Sequence, residues 1–182
     1  MRGRKNPELI AENLLNEFPS LQKLPIAIEK IIGKKGIDLH VTELPSDISG
    51  ILNVENKEYS IFVQESHHEH RQRFTMAHEL GHFLIHHPET THIDRKSYFR
   101  SPLSSTALDR EEIEANRFAA AILMPKEMVM QEVKRFIETY GEDIIDTEEE
   151  NNPLITSLAT KFKVSPAAMM LRLQNLEILD GF

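Results

Sequence analysis

The stretch RFTMAHELGHFLIHH, Arg73 to His87, sets His78, Glu79 and His82 in a run that is otherwise almost wholly apolar. Phe74, Met76, Ala77, Leu80, Phe83, Leu84 and Ile85 would cover most of a helix circumference, so the segment reads as a buried helix from about Arg71 to His87, ended by Pro88. Buried polar groups without partners cost a few kcal/mol each, so three ionisable residues there need a reason. His78 and His82 stand at i and i+4, on one face, with Glu79 beside them: the H-E-x-x-H pattern, in which two imidazoles converge on one cation. Composition alone would produce that pattern at roughly 5%, so its apolar context carries the weight. Gly81 costs about 1 kcal/mol relative to Ala in a helix interior, which predicts that another backbone packs closely against it. The plainer reading makes both histidines core residues hydrogen-bonded to carboxylates.

Two histidines leave a catalytic metal one protein ligand short. A metzincin would place Gly and His where this chain has Ile85 and Pro88, and that class is excluded. His86 continues the i+4 series, but on a straight helix it lies about 12 Å along the axis from His78, too far to share the ion. The chain contains no cysteine, so ligands come from His, Asp or Glu. A second helix, DREEIEANRFAAAILM, places Glu112, Asn116, Ala119 and Leu123 on one face. Glu112 is therefore the expected third ligand and Asn116 the group that orients a ligating imidazole, while Glu111 and Glu114 suit a solvated first turn. One zinc per chain is predicted.

The remaining sequence frames these two helices. With 40% hydrophobic and 27% charged residues among 182, the chain has globular composition, and no stretch approaches the roughly 20 apolar residues of a membrane span. The basic start MRGRKNPELIAENLL lacks a secretory h-region, which predicts a cytoplasmic protein. A net charge of -8 opposes non-specific attraction to nucleic acid. Helical spacing recurs from Pro7 to Phe18 and in PIAIEKIIGKKG. IDLHVTEL, SGILNV and YSIFVQ read as strands, with ENKE joining the last two in a hairpin, and together they predict a small antiparallel sheet. A polar loop is expected after Pro88. PKEMVMQEVKRFIETY reads as a helix stopped by Gly141, GEDIIDTEEENN as an acidic connection, and Pro153 onward as helical again. The expected class is α+β, mainly helical, with residues 1–141 as the unit that carries the H-E-x-x-H helix and 142–182 as an acidic connection and C-terminal helices packed on it.

The combined blocks RQRFTMAHELGHFLIH, EIEANRFAAAILMP and GIDLHVTELPSDISGIL resemble the ImmA/IrrE family of metallo-endopeptidases, over roughly Ile26 to Pro125 and more loosely beyond. The resemblance implies a zincin-like domain with a gluzincin arrangement. It makes His78 and His82 zinc ligands, Glu79 the general base and Glu112 the third ligand. It also implies a substrate class, a helix-turn-helix transcriptional repressor. An extended substrate would add beside a sheet edge, for which YSIFVQ is the candidate, and an oxyanion donor is sought among His67, His68, His70 and Tyr98.

LATKFKVSPAAMMLRLQNLEIL resembles a helix-turn-helix, with Lys163 where Gly is usual. Its second helix offers only Arg172 to read bases, so direct DNA contact is poorly supported and packing or partner recognition is the expected role. The competing function is a non-proteolytic zinc-containing regulator that binds a partner protein or DNA through these helices. A closed structural zinc site has four protein ligands and no use for Glu79, which favours the endopeptidase.

Overall fold

The structure, a computed structural model, describes residues 6–95, 106–141 and 152–178. The chain opens with α1 (Pro7–Glu17), which starts at Asn6, whose side chain accepts from the Glu8 amide at 3.1 Å. A short 3₁₀ turn (Pro19–Leu21) leads to α2 (Ile28–Lys34), and the left-handed Gly36 (φ 74°) turns the chain into β1 (Asp38–Thr42). Strands β2 (Ile48–Glu55) and β3 (Glu58–Gln64) form the expected hairpin. Asn56 and Lys57 hold φ of 51° and 69°, the two positive values that a two-residue turn between right-twisted strands requires.

The sheet corrects the sequence reading in two respects. Its order is β1-β3-β2-β4, and β1 pairs with β3 in parallel, so the sheet is mixed rather than antiparallel. After β1 the chain crosses to β2, leaving room for β3 to return between them; alternation in sequence specifies a strand's faces but not its neighbours. YSIFVQ is therefore an interior strand, and its edges are taken up by β1 and β2. The second correction is β4 (His92–Arg95), which lies in the segment expected to be a polar loop and pairs antiparallel with β2. At four residues with three polar side chains it has too little apolar content to announce itself. The β2–β4 register shifts between Ile48 and Gly50, a bulge that bends β2 beside the site.

The long helix α3 (Glu69–Ile85) crosses one face of the sheet. Its first turn is capped by His68, whose Nδ1 accepts from the His70 amide at 3.2 Å. It packs along α4 (Thr106–Leu123), and the small residues at the crossing bring the two backbones together. A Cβ on Gly81 would lie 3.2 Å from Ala115 Cα and 3.0 Å from the Phe118 ring, which is the close approach its sequence position predicts. Then follow α5 (Lys126–Tyr140), α6 (Pro153–Phe162) and α7 (Pro166–Asn175). Between α6 and α7, Lys163 takes the left-handed conformation (φ 53°), and its Nζ pairs with Glu69 Oε1 at 2.8 Å. Leu154, Leu158, Phe162, Met169 and Leu173 join the same apolar cluster as Leu80, Phe118 and Ile122. Arg172 closes the packing from inside: it is 3% exposed, donates to the Met124 carbonyl at 3.0 Å and forms an ion pair with Glu8. Among the described residues no helix is long and apolar enough to cross a membrane.

Candidate metal centre

Helical periodicity sets the first half of the centre. One turn apart on α3, His78 and His82 direct their Nε2 atoms to within 3.1 Å of each other. The contact at Gly81 lets α4 approach closely enough for Glu112 to complete the group, 3.3 Å from each of those nitrogens. Burial alone would raise the Glu112 carboxyl, but His78, His82 and His92 facing it hold it far below the usual carboxylate range. For His78, burial opposes the charge and Glu112 and Glu79 outweigh it, raising the imidazole; for His82, burial with His78 and His92 lowers it despite Glu112.

The groups behind the histidines assign their protons. Asn116 Oδ1 lies 3.1 Å from His78 Nδ1, so that nitrogen carries hydrogen and Nε2 presents a lone pair. His82 Nδ1 meets His86 Nδ1 at 3.1 Å, and His86 Nε2 meets Glu114 Oε2 at 3.2 Å. The carboxylate can only accept, so His86 Nε2–H donates to it, His86 Nδ1 accepts from His82 Nδ1–H, and His82 Nε2 is also a bare lone pair. Arg110 fixes the far end of this chain, 3.1 Å from Glu114 Oε1. His86 is thus a support for His82, a role its distance from His78 in sequence did not suggest, and Glu114 faces inward rather than only to solvent.

In the metal-free protein a proton on His78 Nε2, favoured by Glu112 and Glu79, can bridge these groups; with both imidazoles neutral, two lone pairs 3.1 Å apart and a carboxylate at 3.3 Å need a cation between them. Zinc bonds of about 2.0 to 2.1 Å at tetrahedral angles put donor atoms roughly 3.3 Å apart, so this donor set fits that ion without rearrangement. His78, His82 and Glu112 could hold it, leaving a fourth position.

Glu79 borders that position. It is completely buried, and neither carboxylate oxygen has a hydrogen-bond partner among the described residues. His92 Nδ1, 3.5 Å from Oε2, offers it an opposite charge but no hydrogen bond, which leaves room for a water or substrate atom to complete it. Its space comes from Gly50 on the bulged stretch of β2: a Cβ there would stand 2.8 Å from Glu79 Oε1 and 2.4 Å from Thr75 Cγ2. Sequence reasoning missed Gly50, whose only signal was a glycine inside a strand pattern.

It also missed His92. On β4, its ring stacks on that of His82 with centroids 3.9 Å apart, its Nε2 lies 3.1 Å from Glu112 Oε1 and its Nδ1 3.5 Å from Glu79 Oε2. Burial would lower its pKa, but Glu112 and Glu79 push the imidazole up to about 10. Asp94, two residues on, can approach His78 and Glu79 as a second acidic group, and burial raises its pKa. No helical or alternating pattern marks either residue.

A cavity of about 940 Å³ opens onto His78, Glu112, Asp94 and Asn116. His68 and His70 from the expected oxyanion group line it, while His67 does not, and Tyr98 lies outside the described residues.

Residues 32–174 match a peptidase family described as the IrrE N-terminal-like domain. No curated protein matches the chain.

Proposed function

The chain belongs to the ImmA/IrrE family of metallopeptidases, and from that premise we propose that it is a zinc-dependent endopeptidase acting on a protein partner. The observation that carries the reading is the convergence of the His78 and His82 Nε2 atoms with Glu112, at the edge of an open cavity that His78 and Glu112 line, on a buried Glu79 whose carboxylate oxygens make no hydrogen bond among the described residues. Zinc held by His78, His82 and Glu112 would supply Lewis-acid activation of water and of the scissile carbonyl.

The protein's own groups do the rest. Glu79 Oε1 or Oε2 takes a proton from the attacking water and delivers it to the leaving amide nitrogen. Its burial keeps bulk water from competing for that proton. Gly50 keeps the carboxylate in place by offering no side chain to displace it. Asn116 and His86 keep the imidazoles in the tautomer that leaves Nε2 free. An extended segment of substrate would run beside β4, the edge strand next to the centre, where Ile93 is exposed. Family analogy suggests a helix-turn-helix repressor as the partner, acting in the cytoplasm.

The test is cleavage of the repressor encoded beside this protein's own gene, by the zinc-loaded chain and by Glu79→Gln. Cleavage by the first and not the second supports the reading. Equal binding of the repressor by both, with no cleavage by either, would favour the non-proteolytic regulator.

A further inference from the structure

The C-terminal helix pair borders the same cavity as the metal centre. Val164, Ala167, Ala168 and Leu171, from the start of α7 and the turn before it, line that cavity together with Phe74 of α3. Leu171 is 57% exposed, opposite the packed face of α7, and at the cavity it adjoins the apolar side chains of Ala167, Ala168 and Phe74. Ala167 is exposed as well, and the two alanines leave the cavity room that larger residues would fill. The basic residue of α7 points elsewhere: Arg172 is held inside by Glu8 and the Met124 carbonyl, so α7 presents no cation to a phosphate. Lys163, at the turn, is engaged by Glu69 on the first turn of α3. That ion pair ties the turn before α7 to α3, and the buried Arg172 ties α7 to α1 and to the carbonyl that follows α4.

We propose that this face of α7 is the specificity wall of the cleft, and that it receives a bulky apolar side chain, of the Leu, Ile, Met or Phe class, from an extended substrate segment beside the bond at the metal centre. The proposal rests on the peptidase reading above. Its occupant follows from continuity: a backbone passing His78 and Glu112 has its neighbouring side chains in the cavity that these two residues line, and the α7 side of that cavity is apolar apart from Ser165. Small residues at Ala167 and Ala168 admit a large partner; bulk there would exclude it.

The experiment uses the zinc-loaded full chain as wild type, Ala167→Trp and Leu171→Asp, both at exposed positions that leave the core and the metal ligands alone. Each is incubated with a peptide mixture prepared by digesting a bacterial proteome, and new termini are read by mass spectrometry. Wild type should cut with large apolar residues enriched at one fixed position next to the scissile bond. Ala167→Trp should cut such sites at least about tenfold more slowly and shift toward Gly, Ala or Ser there, since changes of a methylene or more in an apolar pocket alter discrimination by factors of this order. A second arm immobilises zinc-loaded Glu79→Gln and the doubles Glu79→Gln/Ala167→Trp and Glu79→Gln/Leu171→Asp, and identifies the peptides retained. If wild type cuts without apolar preference, or if Ala167→Trp and Leu171→Asp leave both cleavage and retention unchanged, the wall is disproved and the peptidase reading stands. If nothing is cut yet apolar peptides are retained and lost in the doubles, the wall stands and the peptidase reading falls. If nothing is cut and nothing retained, both fall. Binding of duplex DNA that Leu171→Asp abolishes would also overturn the proposal, since the same face would then be a nucleic-acid surface.

Discussion

Gly50 and Glu79 meet so closely that the carboxylate occupies the space a side chain on Gly50 would need: a Cβ would lie 2.8 Å from Oε1. The proposed general base is thus positioned by a strand residue with no functional group. Gly50→Ala should reduce cleavage by about 10²-fold or more, the scale of losing a well-placed base, while zinc content stays near one per chain. The added methyl also meets Thr75 Cγ2 at 2.4 Å, so Thr75→Ser in the same chain should restore melting temperature but not cleavage. Recovery of both together would show that the effect of Gly50→Ala is packing alone.

Glu79→Gln and Glu112→Gln separate chemistry from architecture. The first leaves the three donor groups intact and should keep zinc while losing about 10² to 10⁴ in cleavage rate. The second weakens a donor within 3.3 Å of both histidines and should lower zinc affinity and, with it, the melting temperature of the loaded protein. Metal content and thermal melts on both variants check this; full zinc in Glu112→Gln would remove Glu112 from the ligand set.

His86→Ala removes the acceptor that fixes the His82 tautomer. Zinc affinity, measured by chelator competition, should fall about 10- to 100-fold, with partial rescue by His86→Gln, whose amide oxygen can accept the same proton. Asn116→Ala should act similarly through His78. Arg110→Ala, at the exposed end of the chain, should change affinity little. Wild-type affinity in His86→Ala would mean that His82 needs no such support.

The pH dependence of the metal-free protein follows from His92. Its imidazole, ordinarily near 6.5, is pushed up to about 10 by the two carboxylates against the pull of burial. A folded-state pKa above the unfolded one contributes stability that is complete below pH 6.5 and lost as pH rises toward 10. Melting temperatures after chelation should decline across that window, and His92→Gln should flatten the decline. Glu112 runs the other way: its depressed pKa stabilises above the ordinary carboxylate value and that contribution is lost in acid. Parallel alkaline slopes in wild type and His92→Gln would refute the His92 assignment.

Local periodicity explains what could be read in advance. His78, Glu79, His82, Glu112 and Asn116 are placed by the pitch of two helices, and Gly81 marked where those helices touch; all of this is short-range information. The hairpin was readable for the same reason, since four residues decide its turn. The parallel pairing of β1, the interior place of β3 and the existence of β4 depend on partners distant in sequence, and no local pattern encodes them. His92 and Gly50 were hidden with the sheet, because each gains meaning only when β4 and the bulged β2 are laid beside α3. His86 lies too far along α3 from His78 to share the ion, but its place one turn beyond His82 suits a hydrogen-bond partner.

Arg172, seated between Glu8 of the first helix and the carbonyl of Met124 at the end of α4, has an implication for how such a protein can diversify. A detachable recognition module could be exchanged whole between relatives. This one cannot, because α7 shares its apolar residues with the core that carries α3 and α4. A swap would remove interior side chains from the host and leave Glu8 unpaired beside them. New preferences would have to arise by point substitution along the exposed positions of α7, Ala167 and Leu171 first, with the buried half of the same helix held constant.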